Sequence, residues 1–325
     1  MTAPELRLIS LLSLALMAGL HHTALGADSQ PPDPEQPPAV TDDTWIDVGR
    51  HQIITGADNI AEWMNDFFGD VRTEEDAPFS TLRLRYEQEW DEANQFDSDI
   101  KLRGKVYLPQ LNERLSLLFD DEDTGETGRD DLLIDERDTA ENVTLQYRAK
   151  EEERYSIDYR VGIRSSLNLK GSVRYKYEYP LAETLIGTFS QEALYLGGDG
   201  FASKTRFELD KILSEDKLLQ FHNKIDWEEN ESGITWNSSL SLDRRLSEKK
   251  AFGYFVGVLG RTHPESYVDT YSVGVRYRQN FYRPWLFGEV QPSYRWYKEH
   301  PDFDREGAAV IFFRLEAVFQ KDLSR

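Results

Sequence analysis

The stretch STLRLRYEQEW, residues 80–90, holds Leu82, Leu84, Tyr86 and Trp90 in alternation with Arg83, Arg85, Glu87 and Glu89. The next one, DIKLRGKVYL (99–108), repeats the device: Ile100, Leu102, Gly104, Val106 and Leu108 alternate with Lys101, Arg103, Lys105 and Tyr107. A period of two places successive side chains on opposite faces of a strand, whereas a helix repeats every 3.6 residues. Each strand therefore needs one apolar and one wet environment. The same alternation recurs at 143–150, 155–164, 169–179, 271–281 and 311–319. A soluble sandwich meets that need with a core and bulk water; a membrane barrel meets it with lipid outside and a polar lumen inside.

Three features select the barrel. The candidate strands run to about ten residues, the length that crosses a bilayer when tilted. Their polar faces are dense in ionised groups, which suits a hydrated lumen. Trp90, Trp227, Trp236, Trp285 and Trp296 fall at strand ends, where interfacial girdles sit. The fold expected is all-β, a transmembrane antiparallel up-and-down barrel with a short N-terminal helix. Strands are expected at 80–90, 99–108, 113–120, 142–150, 155–163, 168–179, 183–196, 202–213, 218–228, 234–246, 252–262, 270–281, 285–296 and 308–319, which makes 14. The segments 113–120, 183–196 and 202–213 alternate least clearly, so 12 strands is the alternative. An even number places both ends of the barrel, and the leader before it, on the periplasmic side.

The rest of the chain fits around that barrel. Residues 1–26 read as a secretory signal peptide, with Arg7, an apolar run from Leu8 to Leu20 and small residues before Ala27. Residues 27–57 form a proline-rich leader, 58–78 a periplasmic helix and linker, 79–319 the barrel and 320–325 a C-terminal extension. The helix is marked by Asp58 as N-cap, by an apolar stripe of Ile60, Ala61, Trp63, Met64, Phe67 and Phe68, and by Gly69 as its stop. It is expected to pack on a neighbouring surface. The chain of 325 residues carries 38 basic and 59 acidic residues, a net charge of −21, which argues against nucleic acid as a partner. It contains no cysteine, which excludes disulfides, thiolate catalysis and Cys-ligated metals.

The segments DNIAEWMNDFFGD (58–70), TRFELDKIL (205–213), SSLSLDRRL (238–246) and RYRQNFYRPWLFGEVQPSYRW (276–296) resemble an uncharacterised family of proteobacterial outer-membrane β-barrel proteins. The resemblance covers most of 58–319, and the 276–296 stretch is its most specific part. It implies location and fold, a barrel in the outer membrane of a Gram-negative bacterium; the barrel is expected to be a monomer, with outer-membrane lipid, lipopolysaccharide and the barrel-assembly machinery as partners. It implies no activity and no site.

The candidate site is the lumen. Arg83, Arg85, Lys101, Arg103, Lys105, Arg174, Lys176, Arg276 and Arg278 form an inward basic ladder, and Glu87, Glu89, Glu178, Glu208, Asp210 and Glu289 are the inward acids. Two readings follow. Fixed cations raise the local anion concentration, which makes a passive pore for small polar or anionic solutes. Alternatively, the ladder and the acids pair into a network that plugs the lumen and leaves a non-conducting envelope-integrity or interaction barrel. A third reading, an outer-membrane hydrolase, rests on inward His222 with Ser239 or Ser241 as nucleophile; the expectation is that the protein is not an enzyme. On the pore reading, Arg276 and Arg278 are expected to be replaceable by serine without unfolding the barrel.

The longest loop, 120–141, holds eleven acids against Arg129 and Arg137. Such density attracts calcium, or magnesium through its water shell, and Asp120, Glu122 and Asp131 fall at ligand positions of a twelve-residue loop with Gly125 at the sixth. Glu122 and Thr124 stand where Asp or Asn is usual, and no helix flanks the loop, so a solvated acidic loop is expected, with diffuse calcium or magnesium binding near lipopolysaccharide as the alternative, and no cofactor is assigned.

Overall fold

The computed structural model describes residues 60–61, 63–65, 67–68, 80–92, 95–108, 111–112, 114–119, 142–152, 154–164, 168–298 and 300–321. The expected signal peptide, the expected proline-rich leader and the acidic segment 120–141 lie outside the described residues.

Fourteen strands close into one antiparallel barrel in which each strand pairs with its sequence neighbours and β1 pairs with β14. They are β1 Ser80–Asp91, β2 Gln95–Tyr107, β3 Leu115–Phe119, β4 Asn142–Glu152, β5 Tyr155–Arg164, β6 Leu169–Ala182, β7 Leu185–Leu196, β8 Gly200–Ser214, β9 Lys217–Glu228, β10 Thr235–Ser247, β11 Lys250–Arg261, β12 Tyr267–Asn280, β13 Leu286–Tyr297 and β14 Glu306–Lys321. The three weakly alternating segments are strands β3, β7 and β8, so 14 replaces 12. The rim that carries Ser80 and Lys321 also carries the short turns 215–216 and 248–249; longer connections such as 298–305 stand at the opposite rim.

Register sorts the faces. The β1–β14 pairing sets Arg83, Arg85 and Glu87 opposite Val318, Glu316 and Arg314, and the β1–β2 pairing sets Arg83 and Arg85 opposite Arg103 and Lys101. These charged side chains point inward and are buried, Lys101 partly so, while Ile100, Val161, Ile163 and Leu169 point outward and are more than half exposed. That inversion of the soluble pattern is what lipid outside and polar groups inside require. Trp90, Trp227, Trp285 and Trp296 lie exposed on the outer face near strand ends.

Two glycines are required by geometry. Gly104 has φ +146°, and a Cβ there would meet the Thr81 carbonyl oxygen at 2.0 Å. A Cβ on Gly253 would meet Asp243 Oδ1 at 2.2 Å and Arg276 Nε at 3.1 Å, so β11 leaves room for that ion pair.

Residues 60–61, 63–65 and 67–68 form helix α1. It packs against the inner wall near the rim that carries the chain ends. Ile60, Ala61, Met64, Phe67 and Phe68 bury themselves with inward-pointing Leu218 and Ala251, and Trp63, Ile212 and Phe287 pack beside them. Each such burial contributes about 1.5–3 kcal/mol for the larger side chains. The apolar stripe thus meets the few apolar positions of an otherwise charged interior.

Candidate functional site

The lumen wall is built around carboxylates that take several guanidinium groups each. Glu316 on β14 accepts from Arg83 Nη1 and Arg85 Nε at 2.7 Å each, and from Arg278 Nη2 at 2.8 Å. Arg278 Nη1 also reaches Glu289 Oε2 at 3.2 Å. Arg314 Nε donates to Glu87 Oε1 at 2.6 Å, and Lys101 Nζ stands 3.4 Å from Glu87 Oε2. Gln291 donates to the other oxygen of Glu289 at 2.7 Å. Farther toward the opposite rim, Arg295 makes a bidentate pair with Glu89 at 2.9 Å for each bond, and the Tyr297 hydroxyl donates to Asp91 at 2.7 Å. Charge-assisted contacts of this length are the strong ones, and burial makes removal of one partner costly.

Helix α1 joins this network from the rim. The Arg276 guanidinium lies 3.6 Å from the centre of the Phe68 ring and donates to Asp243 Oδ1 at 2.8 and 3.2 Å. Arg278 lies 4.8 Å from the Phe287 ring, which packs edge-on against Phe67. Trp63 stacks on Phe67 and carries Arg245 at 5.2 Å from its ring. Gln220 Nε2 donates to Asn65 Oδ1 at 3.4 Å and to Asp210 Oδ1 at 2.7 Å. Arg276 and Arg278 are therefore held between carboxylates and the aromatic face of the helix. Replacing them by serine would take partners from the buried acids Asp243, Glu289 and Glu316 and so cost the barrel stability.

All nine basic residues of the expected ladder lie on inward positions. Arg83, Arg85, Arg103, Lys105, Arg174, Arg276 and Arg278 are buried. Lys176 sits nearer the rim with exposed Glu178, 2.7 Å away. Glu208 is buried beside His222, but their closest atoms are 3.9 Å apart, beyond hydrogen-bond length. Ser239 is the cross-strand neighbour of His222, and Ser241 Oγ donates to Asp243 Oδ2 at 3.1 Å. Asp120, Glu122 and Asp131 lie outside the described residues, and among the described residues no three acidic or histidine side chains converge as a metal site.

Several residues complete the wall beyond those expected. Arg314, Glu316 and Arg295 stand on inward positions of β13 and β14, and Asp243 on β10. On β5 to β8, Arg160 Nη1 stands 3.6 Å from Glu192 Oε1, which also lies in the field of Lys170 and Lys204. The alternation that marks each strand carries these residues too. Their partners come from distant strands, and that pairing has no local signal.

No family model and no curated protein matches the chain. The solved structures it is similar to are bacterial outer-membrane porins and channels. The CymD monoaromatic hydrocarbon channel is 10% identical, over 84% of this chain and 98% of that one, at a TM-score of 0.48. OccK11 (OpdR) of Pseudomonas aeruginosa is 10% identical, over 75% and 96%, at 0.41, and the KdgM porin in complex with disordered oligogalacturonate is 7% identical, over 73% and 99%, at 0.35. Likeness at this level concerns the barrel and not its contents.

Proposed function

We propose that the protein is an outer-membrane pore for small anionic solutes, narrowed by helix α1 at the mouth that carries Ser80 and Lys321. The observation that carries this reading is the sign of the interior. Among the described residues, thirteen buried bases line the wall: Arg83, Arg85, Arg103, Lys105, Arg160, Lys170, Arg174, Lys204, Lys224, Arg276, Arg278, Arg295 and Arg314. Eight buried acids oppose them: Glu87, Asp91, Asp158, Glu192, Glu208, Asp243, Glu289 and Glu316. A chain of net charge −21 thus keeps a positive excess where a solute would pass. Fixed positive charge between low-dielectric walls concentrates anions. The outward apolar band and its aromatic ends support membrane placement.

The test is the reversal potential across a salt gradient in planar bilayers. It is run on the wild type and on a Phe67→Ser/Phe68→Ser variant, which loosens the helix from the wall. Anion preference in both is expected, with larger conductance in the variant. The preference should fade as salt rises, because the Debye length falls from about 10 Å at 0.1 M to about 3 Å at 1 M. Cation preference would reject the solute class. Folded protein without conductance in either form would instead support the plugged, non-conducting barrel.

A further inference from the structure

On the outer face of β7 to β10 the apolar band is interrupted. Gln191, Ser203, Thr205, Asn223 and Ser238 all point outward, on the same face as Phe201, Phe207, Ile225 and Leu240, which are exposed. Gln191, Thr205 and Asn223 stand sixth from the nearer end of their strands, and Ser203 and Ser238 stand fourth, one row in from the aromatic rim. Toward the rim opposite the chain ends they are bordered by Tyr195, Phe201, Trp227 and Trp236; toward the other rim lie Phe189, Phe207, Phe221 and Leu209. Residues at that depth meet hydrocarbon, where uncompensated polar groups are disfavoured and mark function. On the opposite side of the barrel the outward row runs through Val290, Phe313, Leu315, Leu84 and Tyr86. Its polar members, Gln88 and Gln279, stand near strand ends beside Trp90 and Asn280.

The five side chains are partly bonded among themselves. Gln191 Nε2 donates to Ser203 Oγ at 2.8 Å, Thr205 Oγ1 donates to Gln191 Oε1 at 2.8 Å, and Asn223 Nδ2 donates to Ser238 Oγ at 2.6 Å and to the Asn237 carbonyl at 3.1 Å. Capacity remains after these bonds. Ser203 and Ser238 each accept from an amide and keep a hydroxyl proton to give, and the Asn223 amide donates through its nitrogen and keeps its oxygen to accept. The patch is uncharged and holds donors and acceptors side by side, so a two-fold axis through it brings each kind opposite the other. Small Ala193 and Ser203 lie side by side at its edge towards Tyr195 and Phe201, the kind of residue that lets membrane-embedded backbones approach closely.

We infer that the β7–β10 face is the contact between two copies of this chain in the membrane, joined by an isologous interface of the kind that dominates homo-oligomers. A charged partner would call for ionised groups, and the patch has none. The reading departs from the expectation of a monomer, and it rests on the membrane placement proposed above.

The chain lacks cysteine, so a single introduced cysteine can join only to another molecule. Ser203→Cys and Ser238→Cys on the patch, and Val290→Cys and Phe313→Cys on the far side, are expressed as full chains. Outer-membrane vesicles are then treated with a short bismaleimide linker, and heat-modifiable migration identifies the folded protein. The expected result is a band of twice the chain's mass from the two patch variants and none from the far-side pair. Equal yields from both sides would show random collision and overturn the proposal. So would folded, embedded protein with no adduct, or an adduct whose mass is that of a different protein. Recovery of the protein in the soluble fraction would overturn the membrane placement itself, an outcome that none of the cross-linking results imitates.

Discussion

Two sectors of the barrel wall use the same residue types to different ends. In β12, β13, β14 and β1, Glu316 takes three guanidinium groups at 2.7–2.8 Å, and the outward face is apolar between its ends. In β5 to β9 the corresponding carboxylate, Glu192, has Arg160 at 3.6 Å, bonds Ser172, and sits opposite Arg174 in the field of Lys170 and Lys204, and the outward face carries a polar patch. Arginine forks fix geometry, whereas lysine is a point charge on a flexible stem. The first sector is a structural lock. The second keeps its charge adaptable on the inside and offers hydrogen-bonding groups on the outside.

The comparison breaks first on its carboxylates. Glu316→Gln leaves Arg83, Arg85 and Arg278 without their shared partner, and removing one member of such a buried set costs about 3–5 kcal/mol. Glu192→Gln should cost clearly less, because Lys170 and Lys204 can swing their ammonium groups toward water. Urea unfolding in lipid vesicles, followed by loss of heat-modifiable migration, measures both. Equal losses would erase the distinction between the sectors.

The outward faces give the next largest effect. Phe313→Arg places a charge in the apolar band of the first sector and should cost about 2–4 kcal/mol if it lies near the bilayer midplane. Gln191→Leu in the second sector forfeits bonds to Ser203 and Thr205 but gains lipid contact, so its cost should stay near about 0.6 kcal/mol, the average for polar contacts between membrane segments. The same unfolding assay ranks the two, and a larger loss for Gln191→Leu would invert the assignment.

The smallest effect sharpens the comparison in function. Lys204→Gln and Lys105→Gln should each lower anion preference, because each removes a buried positive charge from the lumen wall, and the larger shift marks the sector that contributes more to the field. Reversal potentials of the two variants decide it, and identical shifts would mean that both sectors contribute equally to the field.

What the sequence shows and what it withholds divide along the same physical line. The alternation of Leu82–Trp90 or Ile311–Phe319 sets a strand's existence, length and two faces, so the barrel, its strand number and the inward ladder were all legible. Trp285 and Trp296 marked strand ends in the same way. Pairings such as Arg83 with Glu316 depend on which strands become neighbours after closure, and no local pattern encodes that. The stripe from Ile60 to Phe68 announced a helix seeking an apolar partner. Its partner, however, is a small cluster of Leu218, Ala251, Ile212 and Phe287 scattered over four strands, so its place inside the barrel was hidden. The polar patch was hidden for the opposite reason: Asn223 and Ser238 break the alternation on their strands, and only register shows that they meet.

The seam between β1 and β14 has a kinetic consequence. Ser80 pairs with Lys321 and Arg83 with Val318, so the sheet gains its last row of bonds only when the two ends of the barrel sequence meet. Contacts this remote in sequence form slowly, because loop closure costs entropy before any bond rewards it. Until then both edge strands stand open, with unpaired backbone groups and exposed apolar side chains, as templates for wrong partners. The guanidinium–carboxylate contacts that bridge β1 to β14 at Glu316 and Glu87 lie on that seam. They hold shut the last joint to form, the place where an unpairing edge would have to begin.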